Sequence, residues 1–257
     1  MKLGQLAAQC YTVRDFLKTP AEIAATLKKI RAIGYPAVQL SALGPIDERE
    51  LAAILDGEGL VCCATHESSE NILQRTDAVI ERLLRLRCRI TAYPYPAGIA
   101  LTTHDDVIRF SRQLNEAGRK LHAAGITLCY HNHHIEFRKV GGKTILEILF
   151  DETDPRYVQG EPDTYWIQYG GGDPVAWCHR LRGRLPIIHL KDYMITAENT
   201  VTMCEIGTGT LDWSRILPAA EAAGCQWFVV EQDTCPGDPF ESLRISLNYL
   251  KELSCGS

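Results

Sequence analysis

The residues of this chain that could carry chemistry follow short apolar runs, and the densest group lies in residues 130–136 (YHNHHIE). That segment holds three imidazoles and a carboxylate. In an extended strand, alternate side chains share a face, so His131 and His133 are predicted to point the same way. Imidazoles bind metals and transfer protons near neutral pH. The segment therefore indicates a metal site or an acid–base site.

Four other polar residues follow apolar runs in the same way. They are His66 after residues 61–65, Asp163 after 157–162, His189 after 186–188 and Glu231 after 227–230. A carboxylate at the end of a buried strand is costly unless it is paired or bound to a metal, although Asp163 alone is equally well explained as a cap of the following turn. Together these residues form a mixed nitrogen and oxygen set that suits Mn²⁺, Zn²⁺, Co²⁺ or Fe²⁺, and the ligand types alone do not choose among these ions.

Further residues are candidates for contact with a substrate. His66 is predicted to contact the substrate or, alternatively, to cap a helix. Trp166 offers an apolar surface for a sugar ring or belongs to the core, and Gln168 follows it in the same segment. His133 and Glu136 extend the candidate surface after the strand at 127–131. The glycines within residues 205–209 indicate a tight turn rather than a phosphate site.

Short apolar runs alternate with helical patterns along the chain, and these elements must position the candidate residues. The runs predicted as strands are residues 2–9, 37–40, 60–65, 89–93, 127–131, 157–163, 186–190 and 227–231. They are apolar throughout, which is typical of strands buried on both faces. The candidate residues therefore stand at the ends of the third, fifth, sixth, seventh and eighth strands.

Caps and apolar stripes mark the helices between these strands. The first helix has Thr19 as N-cap with Glu22 completing a capping box, Pro20 in its first turn and Gly34 just past its end. The others are predicted over 48–55, 71–86, a stretch with an apolar stripe at 107–121, 143–150, 174–181, a stretch capped by Asp212, and 239–250. Residues 191–210 are predicted as a long loop.

These eight strand–helix units predict an α/β fold, a (β/α)₈ TIM barrel, as a single domain over residues 1–257. A barrel of this kind typically has about 250 residues. The competing open sheet requires a glycine-rich phosphate loop after the first strand, and residues 9–12 (QCYT) are not one. The carboxyl ends of barrel strands meet on one face, where active sites lie. The candidate residues are therefore expected to converge there.

Composition argues against several classes of protein. The formal net charge of −5 disfavours a nucleic-acid partner, which requires a basic surface. No apolar stretch approaches the roughly 18 residues of a membrane span, and the polar amino terminus does not resemble a signal peptide. None of the ten cysteines has the spacing of a zinc knuckle, and we expect reduced thiols in apolar surroundings. A cytoplasmic protein with a small-molecule partner is predicted.

At these residues the chain resembles the xylose isomerase-like barrels, specifically the sugar phosphate isomerase/epimerase superfamily. The resemblance runs from residues 9–15 (QCYTVRD) to residues 231–233 (EQD). It implies one divalent ion held by a residue from each of the last four strands, which on this chain are His131, Asp163, His189 and Glu231. The family commonly has Glu at the first of these positions. The His-rich strand and the sequence His-x-Lys-Asp at 189–192 resemble the inosose dehydratase branch, and they leave His131, His133 or Glu136 as the first ligand.

The resemblance and the chemistry of the site imply an enzyme that forms an enediolate from a small keto-sugar or cyclitol. Glu231 is expected to contact the metal and face one side of the substrate, with His131, His133 or Glu136 acting from the other side. Lys191 would stabilise an oxyanion or protonate a departing hydroxyl. The outcome is isomerisation, epimerisation or dehydration.

Within that expectation Mn²⁺ suits the set, with Zn²⁺, Co²⁺, Fe²⁺ or Mg²⁺ as alternatives, and the resemblance implies a dimer or tetramer, with a homodimer as the expected assembly. Two other functions compete with this reading. They are a barrel that binds a sugar or metal without turnover, and an apurinic-site endonuclease, which would need more metal ligands and a basic DNA-binding face.

Overall fold

In the computed structural model, which describes residues 1–255 and the side chains of residues 1–254, eight strands form one parallel sheet. The strands are β1 Leu6–Gln9, β2 Ala37–Leu40, β3 Val61–His66, β4 Ile90–Tyr93, β5 Thr127–His131, β6 Val158–Glu161, β7 Ile187–Leu190 and β8 Trp227–Val230. All eight predicted strands are therefore present. Residues 256 and 257, the last two of the predicted single domain, lie outside the described part.

The sheet curls into a barrel. Its order is β6-β5-β4-β3-β2-β1-β8-β7, and each pair of neighbours is parallel. The gap between β6 and β7 is bridged by Asp163 and His189, with the His189 N–H donating to the Pro162 carbonyl at 2.9 Å. The predicted (β/α)₈ TIM barrel is therefore confirmed.

Helices cover the outside of this barrel. They are α1 Pro20–Ile33, α2 Glu48–Glu58, α3 Ser69–Gln74, α4 Thr76–Arg85, α5 His104–Ala123, α6 Ile145–Glu152, α7 Thr164–Tyr169, α8 Pro174–Arg180, α9 Trp213–Ala223 and α10 Pro239–Cys255. The predicted capping box of α1 is present, because Thr19 accepts from the Glu22 N–H and the Glu22 side chain accepts from the Thr19 N–H. Gly34 ends α1 at φ +118°, a conformation that favours glycine.

Two apolar layers hold the barrel. The larger layer lies between the strands and the helices. The smaller one fills the barrel and consists mainly of small side chains, namely Ala7, Ala37, Cys63, Ala64, Ile90, Ala92, Cys129, Ile187 and Val229. Interior residues of barrels of this kind pack in layers and leave no pore. Nine free thiols lie in the described part, and eight of them are buried. The side chain of Cys255 lies outside it.

Four predicted elements were wrong in extent or kind, and the ends of several others differ by a few residues. The sixth strand ends at Glu161, because Pro162 has no N–H to continue the ladder, and Asp163 instead caps the additional helix α7 by accepting from the Trp166 N–H at 2.9 Å. The predicted helix 71–86 breaks into α3 and α4 at Arg75, whose backbone is not helical. The first strand begins at Leu6 after a short 3₁₀ turn.

The fourth difference lies in the predicted loop 191–210. Strands Asp192–Ile195 and Val201–Cys204 pair there as an antiparallel hairpin. Asn199 stands in its turn at φ +59°, which Asn tolerates better than most residues. This hairpin brings Met203 to the wall of the cavity described below. No helix within residues 1–255 is both long enough and apolar enough to cross a bilayer.

Candidate metal and active site

A cavity of about 670 Å³ opens at the carboxyl ends of the barrel strands. Six of the residues singled out in the sequence line it: His66, His131, His133, Trp166, Lys191 and Glu231. The hairpin after β7 and the loops after β1 and β4 complete the wall with the apolar surfaces of Met203, Tyr11 and Tyr95. The cavity therefore has a polar floor and a partly aromatic rim.

Four side chains converge at and just beneath the floor of this cavity, one from the end of each of the last four strands, and two of them line the cavity. The four are His131, Asp163, His189 and Glu231, hereafter the four-ligand set. One donor atom of each lies within 4.8 Å of the others, and all four residues are buried. Asp163 reaches this position although it lies beyond the end of β6, because it bridges to His189 across the barrel seam. The structure thus brings together the residues predicted as ligands.

Lys191 is buried against the same carboxylates. Its Nζ lies 3.1 Å from Asp163 Oδ2, 3.0 Å from Glu231 Oε2 and 3.0 Å from Asp233 Oδ2. Burial lowers the pKa of Lys191, but the three carboxylates outweigh it and hold the pKa well above its usual value. The side chain is therefore a protonated cation at neutral pH.

Glu161 is the main site residue that the sequence analysis did not identify. Its Oε1 lies 2.5 Å from His66 Nε2, 3.1 Å from His189 Nε2 and 3.3 Å from His131 Nδ1. Its Oε2 accepts a hydrogen bond from Gln39 Nε2 at 2.7 Å. A signal was present in the sequence, because Glu161 and Asp163 are two residues apart and alternation places such residues on one face of a strand. His66, His131, Glu161 and His189 also form a compact group of possible ligand atoms.

Burial and charge act against each other in this cluster. Burial lowers the pKa of His189, but Glu161 and Glu231 outweigh it and raise the pKa to about 10. Burial raises the pKa of Asp163 to about 6, against the attraction of Lys191. The cluster thus contains two cations, His189 and Lys191, and a larger number of carboxylates, namely Glu161, Asp163, Glu231 and Asp233.

The residues at the floor fit a divalent cation. Asp163 Oδ2 is buried and makes no hydrogen bond of acceptable geometry, although it lies near Lys191 Nζ. A mixed set of imidazole and carboxylate donors suits Mn²⁺, Zn²⁺ or Fe²⁺, and a cation would compensate the excess of negative charge. The four-ligand set can therefore hold such an ion.

The remaining predicted residues lie farther from this floor. His133 Nδ1 and Trp166 Nε1 are buried without a hydrogen-bond partner, and the two rings lie 5.4 Å apart at the cavity wall. Glu136 is turned away, because it accepts from the Tyr130 hydroxyl at 2.8 Å and from the His133 N–H at 2.8 Å. Among the described residues, neither Glu136 nor Gln168 lines the cavity or belongs to a group of possible ligand atoms.

Comparison with known proteins identifies the family of this chain and a curated relative of part of it. Residues 27–253 match the family model of the xylose isomerase-like TIM barrel. An inosose dehydratase from Geobacillus thermodenitrificans is 31% identical over 162 residues, which cover 56% of this chain and 53% of that protein. The chain thus spans about half the length of the curated relative that it matches.

Solved structures share the fold over nearly the whole chain. A sugar phosphate isomerase/epimerase from Parabacteroides distasonis has a TM-score of 0.80 and 23% identity, covering 97% of this chain and 94% of that one. A xylose isomerase-like TIM barrel protein from Mycobacterium smegmatis, solved in complex with magnesium, has a TM-score of 0.73 and 14% identity, covering 98% of both chains. At such identities the likeness demonstrates a common fold.

Proposed function

Because this chain belongs to the xylose isomerase-like TIM barrel family, we propose that it is a divalent-metal-dependent enzyme acting on a small keto-sugar or cyclitol through an enediolate. The observation that carries the proposal is the convergence of four buried imidazole and carboxylate donors on the floor of an open cavity. Buried carboxylates are costly unless they are paired or bind metal. The inosose dehydratase relative and the isomerase/epimerase neighbour support a substrate of this class.

His131, Asp163, His189 and Glu231 would hold the ion. A bound divalent cation supplies Lewis-acid stabilisation of negative charge on the substrate oxygens. The magnesium complex of the Mycobacterium smegmatis protein supports a hard divalent ion in this family. We propose Mn²⁺ as the physiological ion, with Zn²⁺, Co²⁺, Fe²⁺ or Mg²⁺ as the alternatives that the same donors accept.

We assign proton removal and substrate contact to groups on opposite sides of the cavity floor. Glu231 removes the proton next to the substrate carbonyl, since its carboxylate borders the cavity. Burial raises the pKa of Glu231, but Lys191 and His189 outweigh it and hold the pKa well below the usual value, so the group is ionised. Burial outweighs other effects in lowering the pKa of His133 to about 2, which keeps its imidazole neutral. The neutral His133 can then offer an N–H to a substrate oxygen from the other side, and Trp166 offers a flat surface to a sugar ring.

Within this class, Lys191 favours elimination. In a dehydration the proton on the α-carbon goes to the base, a carbon–carbon double bond forms, and the β-hydroxyl leaves with a proton as water. A departing hydroxyl needs a positioned acid, and Lys191 Nζ is a protonated group at the cavity floor. The dehydratase relative supports the same branch. Isomerisation or epimerisation uses the same first proton transfer and ends with return of a proton instead.

Proton exchange tests this proposal. The metal-loaded protein is incubated in D₂O with a panel of keto-sugars and inososes, and NMR follows deuterium next to the carbonyl and the identity of the product. We expect exchange that is lost on chelation and in Glu231→Gln. Glu198→Gln, an exposed carboxylate in the hairpin turn, serves as the matched control and should retain exchange. Tight binding of one ion without exchange on any substrate would instead indicate a barrel that binds sugar or metal without turnover.

We extend the proposal to a homodimer in the cytoplasm. The hairpin after β7 exposes Ile195 and Val201, with 52% and 43% of their surface accessible, which is consistent with a contact surface. Unpaired thiols agree with a reducing compartment. Light scattering coupled to gel filtration gives the mass in solution, and a monomer would contradict the first part.

A further inference from the structure

We propose that Glu161 is a positioning residue, which holds the imidazoles of His131 and His189 so that their other nitrogens face the metal. This inference rests on the proposed metal site. Glu161 does not border the cavity, and both of its carboxylate oxygens contact protein groups. It lies beneath the four-ligand set, fully buried at the end of β6.

The contacts of His189 separate its two ring nitrogens. Nδ1 lies 2.8 Å from Glu231 Oε2 and 3.8 Å from Asp163 Oδ2, on the side of the other ligands. Nε2 lies 2.6 Å from Gln39 Oε1 and 3.1 Å from Glu161 Oε1, on the opposite side. Since both neighbours of Nε2 are acceptors, the proton belongs on Nε2 when Nδ1 binds an ion. A metal-binding imidazole usually donates its other N–H to a carboxylate or carbonyl in this way.

His131 shows the same arrangement with its nitrogens exchanged. Nδ1 is buried with no other hydrogen-bond partner and lies 3.3 Å from Glu161 Oε1, close to but outside hydrogen-bond geometry, which leaves Nε2 as the atom available on the cavity side. One carboxylate oxygen thus faces both imidazoles of the four-ligand set. Glu161 sets the ring orientation and the protonated nitrogen of each.

A chain of amides holds Glu161 in place. Gln9 Nε2 donates to Gln39 Oε1 at 3.0 Å, and Gln39 Nε2 donates to Glu161 Oε2 at 2.7 Å. Gln9 and Gln39 are both fully buried at the ends of β1 and β2. Because Gln39 Oε1 already faces the donors of Gln9 and His189, only its NH₂ group can point at Glu161. The carboxylate therefore offers its second oxygen to the imidazoles.

This geometry makes Glu161→Gln informative although the two side chains have the same shape. The new amide oxygen would take the hydrogen bond from Gln39, which turns the new NH₂ group towards His131 and His189. Two donors would then face each other unless each imidazole moved its proton to the nitrogen that should bind metal. We expect the affinity for Mn²⁺ to fall about 10- to 100-fold, as is typical for loss of such a partner.

The experiment measures the dissociation constant of Mn²⁺ by titration followed by electron paramagnetic resonance of the free ion, with no substrate present. Asp192→Asn is the matched control, since Asp192 is also a buried carboxylate but accepts from the Gly207 N–H at 3.0 Å and from Trp213 Nε1 at 2.8 Å, and it belongs to neither group of possible ligand atoms. Its affinity should be unchanged. In the diamagnetic Zn²⁺-loaded wild type, ¹⁵N NMR should show protons on His189 Nε2 and His131 Nδ1, and Glu161→Gln should lose or shift both signals.

Three results would overturn the inference. They are unchanged Mn²⁺ affinity in Glu161→Gln, protons found on the opposite nitrogens in the wild type, and equal losses in Glu161→Gln and His66→Gln. The last result would make Glu161 a direct ligand together with His66, because the positioning role predicts that His66→Gln keeps its metal affinity. If Glu161→Gln does not fold, Gln39→Leu carries the test, since it removes the hydrogen bond that holds Glu161. Because this variant also removes the contact from Gln39 Oε1 to His189 Nε2, the proton on His131 Nδ1, which faces Glu161, is the signal to follow.

Failure of the proposed function would look different. A wild type that binds Mn²⁺ with the expected protonated nitrogens, yet exchanges no substrate proton, would remove the enzyme assignment and leave the role of Glu161 intact.

Discussion

Replacing Lys191 with methionine tests how the charges at the cavity floor are balanced. Lys191 has 1% of its surface exposed and places Nζ at 3.0–3.1 Å from the carboxylates of Asp163, Glu231 and Asp233. At an effective dielectric constant of 20, a single such pair attracts with roughly 5 kcal/mol before the cost of desolvation. Methionine keeps most of the volume of the side chain and removes the charge. The carboxylates would then be buried without their cation.

Removal of one partner from a buried ion pair typically costs about 3–5 kcal/mol. We therefore expect metal-free Lys191→Met to lose about 3–5 kcal/mol of unfolding free energy, which lowers the melting temperature by roughly 6–20 °C for a chain of this size. Urea unfolding followed by circular dichroism measures the loss. The control is Lys143→Met, whose ion pair with Asp151 at 2.8 Å is largely exposed and should contribute far less to stability.

Added Mn²⁺ should reverse much of this loss. Lys191 and the ion share Asp163 and Glu231, so the ion competes with the ammonium group in the wild type and has no such competitor in the variant. The variant should bind Mn²⁺ more tightly and gain more stability from it, and saturation at 100 times the dissociation constant stabilises by about 2.7 kcal/mol. A metal-free loss no larger than that of Lys143→Met, or weaker Mn²⁺ binding by Lys191→Met, would refute the reasoning.

Two further predictions concern the helix caps that support the barrel. Hydrogen bonds from Thr102 and Thr103 lower the pKa of Asp106 to about 2, so Asp106 stabilises the fold above its unfolded pKa of about 3.9 and this contribution disappears as the pH falls through 2. The difference in urea-unfolding free energy between wild type and Asp106→Asn should therefore shrink between pH 5 and pH 2, and a constant difference would contradict the assignment. Thr19→Ala removes the N-cap of α1 and should cost about 1 kcal/mol by the same assay, whereas Thr19→Ser should cost much less.

Local pattern was enough to predict the barrel and most of its strand ends. Alternating apolar runs and capped helices are set by interactions within a few residues, and the capping box at Thr19 and Glu22 is one example that the structure contains. The ends of the strands failed where one residue changed the backbone chemistry. Pro162 stopped β6, and Asp163 caps the following helix, a role that the sequence offered only as an equal alternative.

The side chains that converge at the candidate site were predictable from the sequence, but the residues that support them were not. His131, Asp163, His189 and Glu231 each follow an apolar run, and the barrel brings strand ends together whatever their loops contain. Glu161 was missed because a carboxylate inside a strand sequence says nothing about its partner. That partner, Gln39, lies 122 residues away along the chain.

The amino-acid sequence by itself determined the order of strands and helices, and hence which polar residues face the open end of the barrel. Hydrophobic periodicity and helix capping depend only on residues close by in the chain, so the local sequence is enough to specify these features. Only the tertiary structure decided which nitrogen of His189 faces the other three members of the four-ligand set. It also decided that three carboxylates enclose Lys191. A buried polar group must be satisfied by whatever lies beside it, and across a closed barrel those neighbours come from strands far apart in the chain.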